Sequence, residues 1–362
     1  MPNKPTVSSA SILSIKPYVG GKSKGLPGVK VVKLSSNETP LGPSPEAVKA
    51  VHTALQQLHR YPDGGAHDLR DAIADVHGLP VERIVCGCGS DELIGLLIHA
   101  YAGAGDEVVI SQHGFLMYQI YAQSCGATPV FAAEKNLRTD VDAMLAAVTP
   151  RTKIVCVANP NNPTGSYISK SELKRLHDGL PSHVLLLVDG AYAEYVKLDD
   201  YSCGRELVES SENTVMLRTF SKIYGLSALR VGWAYAPESI IDILNRVRSP
   251  FNVSGLGIAA GAAAMRDVAF TETVRAFNQE QLEFLSAEIS KLGFTVHPSV
   301  GNFILVDFTS AQRAVAASAH LTQRGLIVRE VAAYGLDTCL RISIGLEEDN
   351  KAVVAALASF LR

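Results

Sequence analysis

Between residues 83 and 236 the sequence alternates short apolar runs with stretches of helical periodicity, and this alternation constrains the fold most strongly. The runs are "RIVCGCG" (83–89), "DEVVISQ" (106–112), "ATPVFAA" (127–133), "KIVCVANP" (153–160), "HVLLLVDG" (183–190), "NTVMLRTF" (213–220) and "RVGWAYAP" (230–237). Most are nearly continuously apolar, as strands covered on both faces must be. Between them lie helical patterns such as "SDELIGLLIHAYAG" (90–103) and "SKSELKRLHDGL" (169–180). Alternating β and α units predict an α/β fold with a mainly parallel sheet flanked by helices.

The pattern changes near residue 256. A long helical stretch (270–293) is followed by strand-like "NFILVDF" (302–308), "GLIVREV" (325–331) and "CLRISIG" (339–345), then a last helix. This predicts a smaller α+β domain over 256–362, beside a large domain over 51–255. Residues 1–50 carry Pro and Gly clusters such as "NETPLGPSP" (37–45) and read as an arm and linker, part of it packing with the small domain. A length of 362 residues agrees with about two domains.

Charge and cysteine usage exclude several functions. A net charge of −3, with Lys and Arg scattered, gives no electrostatic reason for nucleic acid or an anionic membrane. No stretch reads as a membrane span or signal peptide. The run "GLGIAAGAAAM" (255–265) is short and closed by Arg266 and Asp267. Cys86, Cys88, Cys125, Cys156, Cys203 and Cys339 form no Cys-x-x-Cys motif, so neither a disulfide framework nor a metal site is expected, and a reducing cytoplasm fits.

Two phosphate-loop patterns fail. "GGKS" (20–23) would need a first Gly at position 16, which is Lys16. "GCGSDE" (87–92) has Glu92 where a dinucleotide fingerprint needs its third Gly.

The chemistry gathers at strand ends. Ser90 and Asp91 follow the first strand, Phe115 the second and Asn162 the fourth; Asp189 ends the fifth, and Ser221 and Lys222 follow the sixth. In an open parallel sheet these ends share the edge at which ligands bind. The set matches pyridoxal phosphate (PLP): a lysine amine for the aldehyde, an acid for the pyridine nitrogen, and donors for the phosphate. Each residue alone has a plainer reading. Asp189 reads equally as a helix cap, Ser90 as an N-cap, Arg230 as a surface arginine, and Arg341 as a solvent-facing arginine alternating with Leu340 and Ile342 on a half-exposed strand.

The segments "TFSKIYGLSALRVGW" (219–233), "NPNNPTG" (159–165), "DGAYAEY" (189–195) and "LSSNETPLGPSP" (34–45) resemble PLP-dependent aminotransferases of fold type I. Within that group they are similar to the histidinol-phosphate aminotransferase branch, which includes broad-specificity aromatic relatives. The resemblance runs nearly end to end, from "KPYVGGKS" (16–23) to "LRISIG" (340–345).

It implies that Lys222 is the Schiff-base lysine and proton carrier. Asp189 pairs with the ring nitrogen, while Tyr192 and Asn162 hydrogen-bond the ring oxygen. Phe115 stacks on the ring; Ser90, Asp91, Ser221 and Arg230 hold the phosphate, joined by Tyr61 from the other subunit of a homodimer. Arg341, with Arg329 and Tyr18, takes the substrate's anionic group. Two departures stand out: Gly190 replaces the Glu of Asp-Glu-Ala-Tyr, and Phe115 replaces a tyrosine. The implied reaction moves an amino group between a small amino donor and a 2-oxo acid, with histidinol phosphate and 2-oxoglutarate as the expected pair. Phenylalanine or tyrosine transamination is the alternative, another PLP lyase or decarboxylase a rival, and a non-catalytic PLP sensor a more distant one.

Overall fold

The computed structural model describes residues 11–362; the first ten residues of the expected arm lie outside the described residues. All seven runs between 83 and 237 form strands of one sheet. Their spatial order is Ile84–Gly87, Gly232–Tyr235, Thr214–Thr219, Leu185–Asp189, Thr152–Ala158, Glu107–Ser111 and Thr128–Ala132. Gly232–Tyr235 runs antiparallel to both neighbours, and the other strands share one direction. The central strands are buried at every position, which explains their unbroken apolar sequence.

Two apolar layers cover the sheet. Leu93, Leu97, Ile110 and Leu187 belong to one core cluster, and Val155, Val157, Leu173 and Leu186 to another. The helix Gly255–Arg266 packs with Leu69, Ile73 and Trp233. A Cβ on Gly257 would lie 2.8 Å from Val231 and one on Gly261 2.9 Å from Leu69, so small residues permit the close approach.

The second sheet has the order Val32–Leu34, Leu326–Glu330, Cys339–Ser343, Phe303–Asp307 and Thr295–His297. Its core joins Leu34 to Leu285, Ile304, Leu340 and Val353. The first strand comes from the N-terminal segment, which pairs in parallel with Leu326–Glu330. The long helix Val268–Lys291 buries Val274 in the core of the large domain and Leu282, Leu285 and Ile289 in that of the small one. One helix thus contributes to both cores.

Candidate active site

The carboxyl ends of the parallel strands open into a cleft of about 300 Å³. Ser90, Asp91, Phe115, Asn162, Asp189, Tyr192, Ser221, Lys222, Arg230, Arg329, Arg341 and Tyr18 all line it. Of the residues expected from sequence, Tyr61 alone is absent. It is 83% exposed and stacks on Phe251, with ring centroids 4.8 Å apart.

Lys222 sits in the turn that follows Thr214–Thr219. Its Nζ donates to the Ser36 carbonyl at 3.1 Å and lies 5.6 Å from the Tyr192 ring centre. Burial and the charges of Arg341 and Arg230 push its pKa down to about 8, against the opposing pull of Glu38 and Asp189. At pH 7 about a tenth of the amine is therefore uncharged, far more than for an ordinary lysine, and the uncharged form is the one that acts as nucleophile or base.

Asp189 ends its strand inside the protein, 5% exposed. One carboxylate oxygen accepts from Tyr118 Oη at 2.8 Å and the other from the Ala191 backbone N–H at 3.1 Å. Burial raises its pKa to about 6 despite both hydrogen bonds. A cationic partner would reverse that penalty, and a protonated ring nitrogen bound in the cleft would be one.

The helix Gly89–Tyr101 begins at the same cleft with no side-chain cap. Ser90 makes no capping bond, so the plainer reading of that residue does not hold. A Cβ on Gly232 would come within 2.1 Å of the Ser90 backbone nitrogen, and one on Gly89 within 2.5 Å of Arg230 Nη2. These glycines leave the helix end open and let the Arg230 guanidinium approach it. Arg230 holds a left-handed backbone (φ 53°), and its Nη1 donates to Ser221 Oγ at 3.2 Å. Uncapped N–H groups, a serine hydroxyl and a guanidinium form an anion cradle. Asp91 turns its carboxylate toward the Tyr121 hydroxyl (3.0 Å), and burial raises its pKa.

Tyr192 is buried and accepts from Asn37 Nδ2 at 2.9 Å. Burial pushes its hydroxyl up to about 12. Phe115 leads into the helix Leu116–Ser124 and meets Tyr118 edge-on, centroids 5.8 Å apart. Gly190 packs where a Cβ would lie 3.1 Å from Arg218 Cδ and 3.2 Å from the Leu217 carbonyl; Arg218 is ion-paired with Glu194 at 2.9 Å in the same buried region.

Arg341 departs from the half-exposed strand that alternation alone describes. Every residue of Cys339–Ser343 is buried, and Arg341 is 5% exposed. Its Nη2 donates to the Ser35 carbonyl at 2.8 Å, its Nη1 to Asn162 Oδ1, and its buried Nε has no partner. The polar side of this strand faces the cleft and not solvent. Arg329 is its cross-strand partner and lies 5.9 Å from the Tyr18 ring centre.

Two contributors were missed in the sequence. Tyr118, within "HGFLMY", orients the key carboxylate. Asn37, within "LSSNETP", holds Tyr192 and accepts from Ser343 Oγ at 2.9 Å. Tyr118 carried one usable signal, a hydroxyl on an otherwise apolar helix start that must find a buried partner. Lysine, buried acid, anion cradle and the aromatic Phe115 line one cleft and together fit PLP in size and donor set.

Residues 29–357 match the family model of class I and II aminotransferases. A histidinol-phosphate aminotransferase from Paramagnetospirillum magneticum is 55% identical over 97% of each chain, and one from Rhodospirillum centenum is 52% identical over 98% of this chain and 99% of that one. The solved histidinol-phosphate aminotransferase of Sinorhizobium meliloti, in complex with pyridoxal-5′-phosphate, superposes with a TM-score of 0.87 at 29% identity over 92% of each chain. The chain therefore belongs to the class I and II aminotransferases, PLP-dependent transaminases of fold type I, on the histidinol-phosphate aminotransferase branch.

Proposed function

We propose that this protein transfers the amino group of L-histidinol phosphate to 2-oxoglutarate, giving imidazole-acetol phosphate and L-glutamate, a step of histidine biosynthesis. The observation that carries the substrate is the pair Arg329 and Arg341, directly opposite each other on antiparallel strands at the cleft. Like charges so placed repel unless an anion lies between them. A phosphate monoester and a dicarboxylate each offer two negative charges, whereas phenylalanine or tyrosine offers a single carboxylate.

When bound, PLP supplies the aldehyde that takes up the amino group and a ring that accepts the electron pair of a broken C–H bond. The residues of the chain do the rest. Asp189, held by Tyr118 and Ala191, keeps a negative charge beside the ring nitrogen. Ser90, Ser221 and Arg230 would hold the cofactor phosphate. Tyr192 and Asn162 would donate to the ring oxygen, and Phe115 would cover the ring. Lys222 would take the proton from the donor carbon that bears the amine and return it on the cofactor side. The acceptor half runs the same proton movement in reverse. Arg341 and Arg329, with Tyr18, orient either substrate by its anionic end.

We also place the chain in a homodimer with Tyr61 reaching the partner's cleft. The exposure of Tyr61 and its stacking on Phe251 support a projecting aromatic contact. Cytoplasmic residence fits the six free cysteines, and no described helix is long and apolar enough to cross a membrane.

Product analysis tests the reaction. Glutamate should form in step with histidinol phosphate consumed, and only when 2-oxoglutarate is present. Release of carbon dioxide, or of pyruvate without 2-oxoglutarate turnover, would replace transamination with a decarboxylase or lyase reaction.

A further inference from the structure

Away from the cleft, three strands of the small sheet bring together residues that are far apart in the sequence. Asp307 pairs with Cys339 across antiparallel strands. His297 pairs with Leu305, two residues from Asp307 and on the same face. One ligand atom from each of His297, Asp307 and Cys339 lies within 4.8 Å of the others, and no other such group occurs among the described residues. None of the three lines the Lys222 cleft.

The local hydrogen bonding leaves donor capacity unused. His297 Nε2 is buried and has no partner among the described residues. Asp307 Oδ1 accepts from the Thr309 backbone N–H at 2.7 Å, which leaves lone pairs on the carboxylate free. Among the described residues, the Cys339 sulfur makes one hydrogen-bond contact, a long one of 3.6 Å to Thr338 Oγ1. A buried ring nitrogen without a partner is destabilising, and a bound cation would remove that cost.

We propose that His297, Asp307 and Cys339 form a binding site for a zinc-type divalent cation. One imidazole nitrogen, one carboxylate oxygen and one thiolate suit a borderline-soft ion; magnesium and calcium favour oxygen ligands alone. The charges balance: the Cys339 thiol releases its proton to solvent, and thiolate plus carboxylate offset the two positive charges while His297 binds uncharged. Zinc bonds of roughly 2.0–2.3 Å place tetrahedral ligands about 3.3–3.7 Å apart, so side-chain rotations of about 1 Å close the site. His297 and Asp307 are only half-buried, which leaves a fourth position for water. The cation would clamp three strands of the small sheet, among them the one that carries Arg341 two residues beyond Cys339.

The test uses the PLP-loaded enzyme, stripped of metal with a chelator and then titrated with Zn²⁺ against a chromophoric competitor. The site predicts about one tightly held equivalent per chain and a higher Tm with zinc. Co²⁺ in its place should give the near-ultraviolet band of a thiolate bound to cobalt. Cys339→Ser should abolish that band, and His297→Gln should weaken zinc binding at least about tenfold. Metal-free Tm and the lysine-bound cofactor absorbance report whether each variant is folded, and the half-exposed His297→Gln serves if Cys339→Ser is not. Failure to hold one equivalent, a cobalt complex without the thiolate band, or binding unchanged in folded variants (as capture by exposed Cys88 would give) would overturn the site.

Discussion

Asp189→Asn should make the cofactor-free protein more stable at alkaline pH while nearly abolishing its activity. In the folded chain without cofactor, burial holds the Asp189 carboxyl at about 6, against 3.8 for the free group. Folding therefore favours the protonated form. The contribution of this group to stability is fully present below about pH 4 and is lost as pH rises through about 6. By pH 8 the ionised, unpaired carboxylate costs on the order of 3 kcal/mol relative to the protonated one. The amide removes that charge at nearly the same volume. Its oxygen can keep the Ala191 N–H bond, and the Tyr118 hydroxyl can rotate to accept from its nitrogen. Cofactor-free Asp189→Asn should thus melt several degrees above cofactor-free wild type at pH 8, with the difference vanishing near pH 4. With PLP bound the ranking should narrow or invert, because the carboxylate regains a positive partner. The amide cannot hold the ring nitrogen protonated, so kcat/KM should fall by at least about 10²-fold. Thermal unfolding followed by circular dichroism from pH 4 to 8, with and without PLP, gives the answer. A cofactor-free variant that is less stable than wild type at pH 8, or a difference independent of pH, would refute the reasoning about this carboxylate.

Other perturbations separate the remaining roles. Lys222→Ala should lose both turnover and the absorbance of lysine-bound PLP; retention of that absorbance would remove Lys222 from its role. Arg341→Ala should cost about 1.5–3 kcal/mol, roughly ten- to hundredfold in kcat/KM for histidinol phosphate; a change of only a few-fold would show that the anion binds elsewhere. Arg329→Ala should penalise histidinol phosphate and glutamate more than phenylalanine, measured as the ratio of kcat/KM values. Tyr118→Phe removes one of the two hydrogen bonds that lower the Asp189 pKa. Its PLP dissociation constant should rise several-fold with KM for donor little changed, whereas equal loss in both would mark Tyr118 as a general packing residue.

What could be read from the sequence follows from which forces leave local traces. The central strands of the large sheet were legible because burial on both faces demands continuous apolar runs, and "HVLLLVDG" and "KIVCVANP" could do little else; the edge strand Thr128–Ala132 is partly exposed and showed only a short β-prone run. The reversed direction of Gly232–Tyr235 was not legible, since an apolar run says nothing about polarity. The three-residue strand Val32–Leu34 was too short to show a period, yet it carries the N-terminal segment into the small sheet, so that Ser36 meets Lys222 and Asn37 meets Tyr192. Alternation correctly put Arg341 on the polar side of its strand, but without the fold that side read as facing solvent; the covering segment comes from about three hundred residues earlier in the chain. The same limit hid the His297, Asp307 and Cys339 cluster, because antiparallel register and not spacing brings the three together. Tyr61 was expected from its motif to serve the other subunit's site, and it lies outside the chain's own cleft.

The central claim is that the Lys222 cleft, with Arg341 and Arg329 at its anionic end, transaminates histidinol phosphate. The most direct measurement compares kcat/KM for histidinol phosphate, phenylalanine and tyrosine as donors to 2-oxoglutarate under one set of conditions. The account predicts the highest value for histidinol phosphate, with the aromatic amino acids well below it. A higher value for phenylalanine or tyrosine, or no 2-oxoglutarate-dependent turnover of histidinol phosphate, would contradict it.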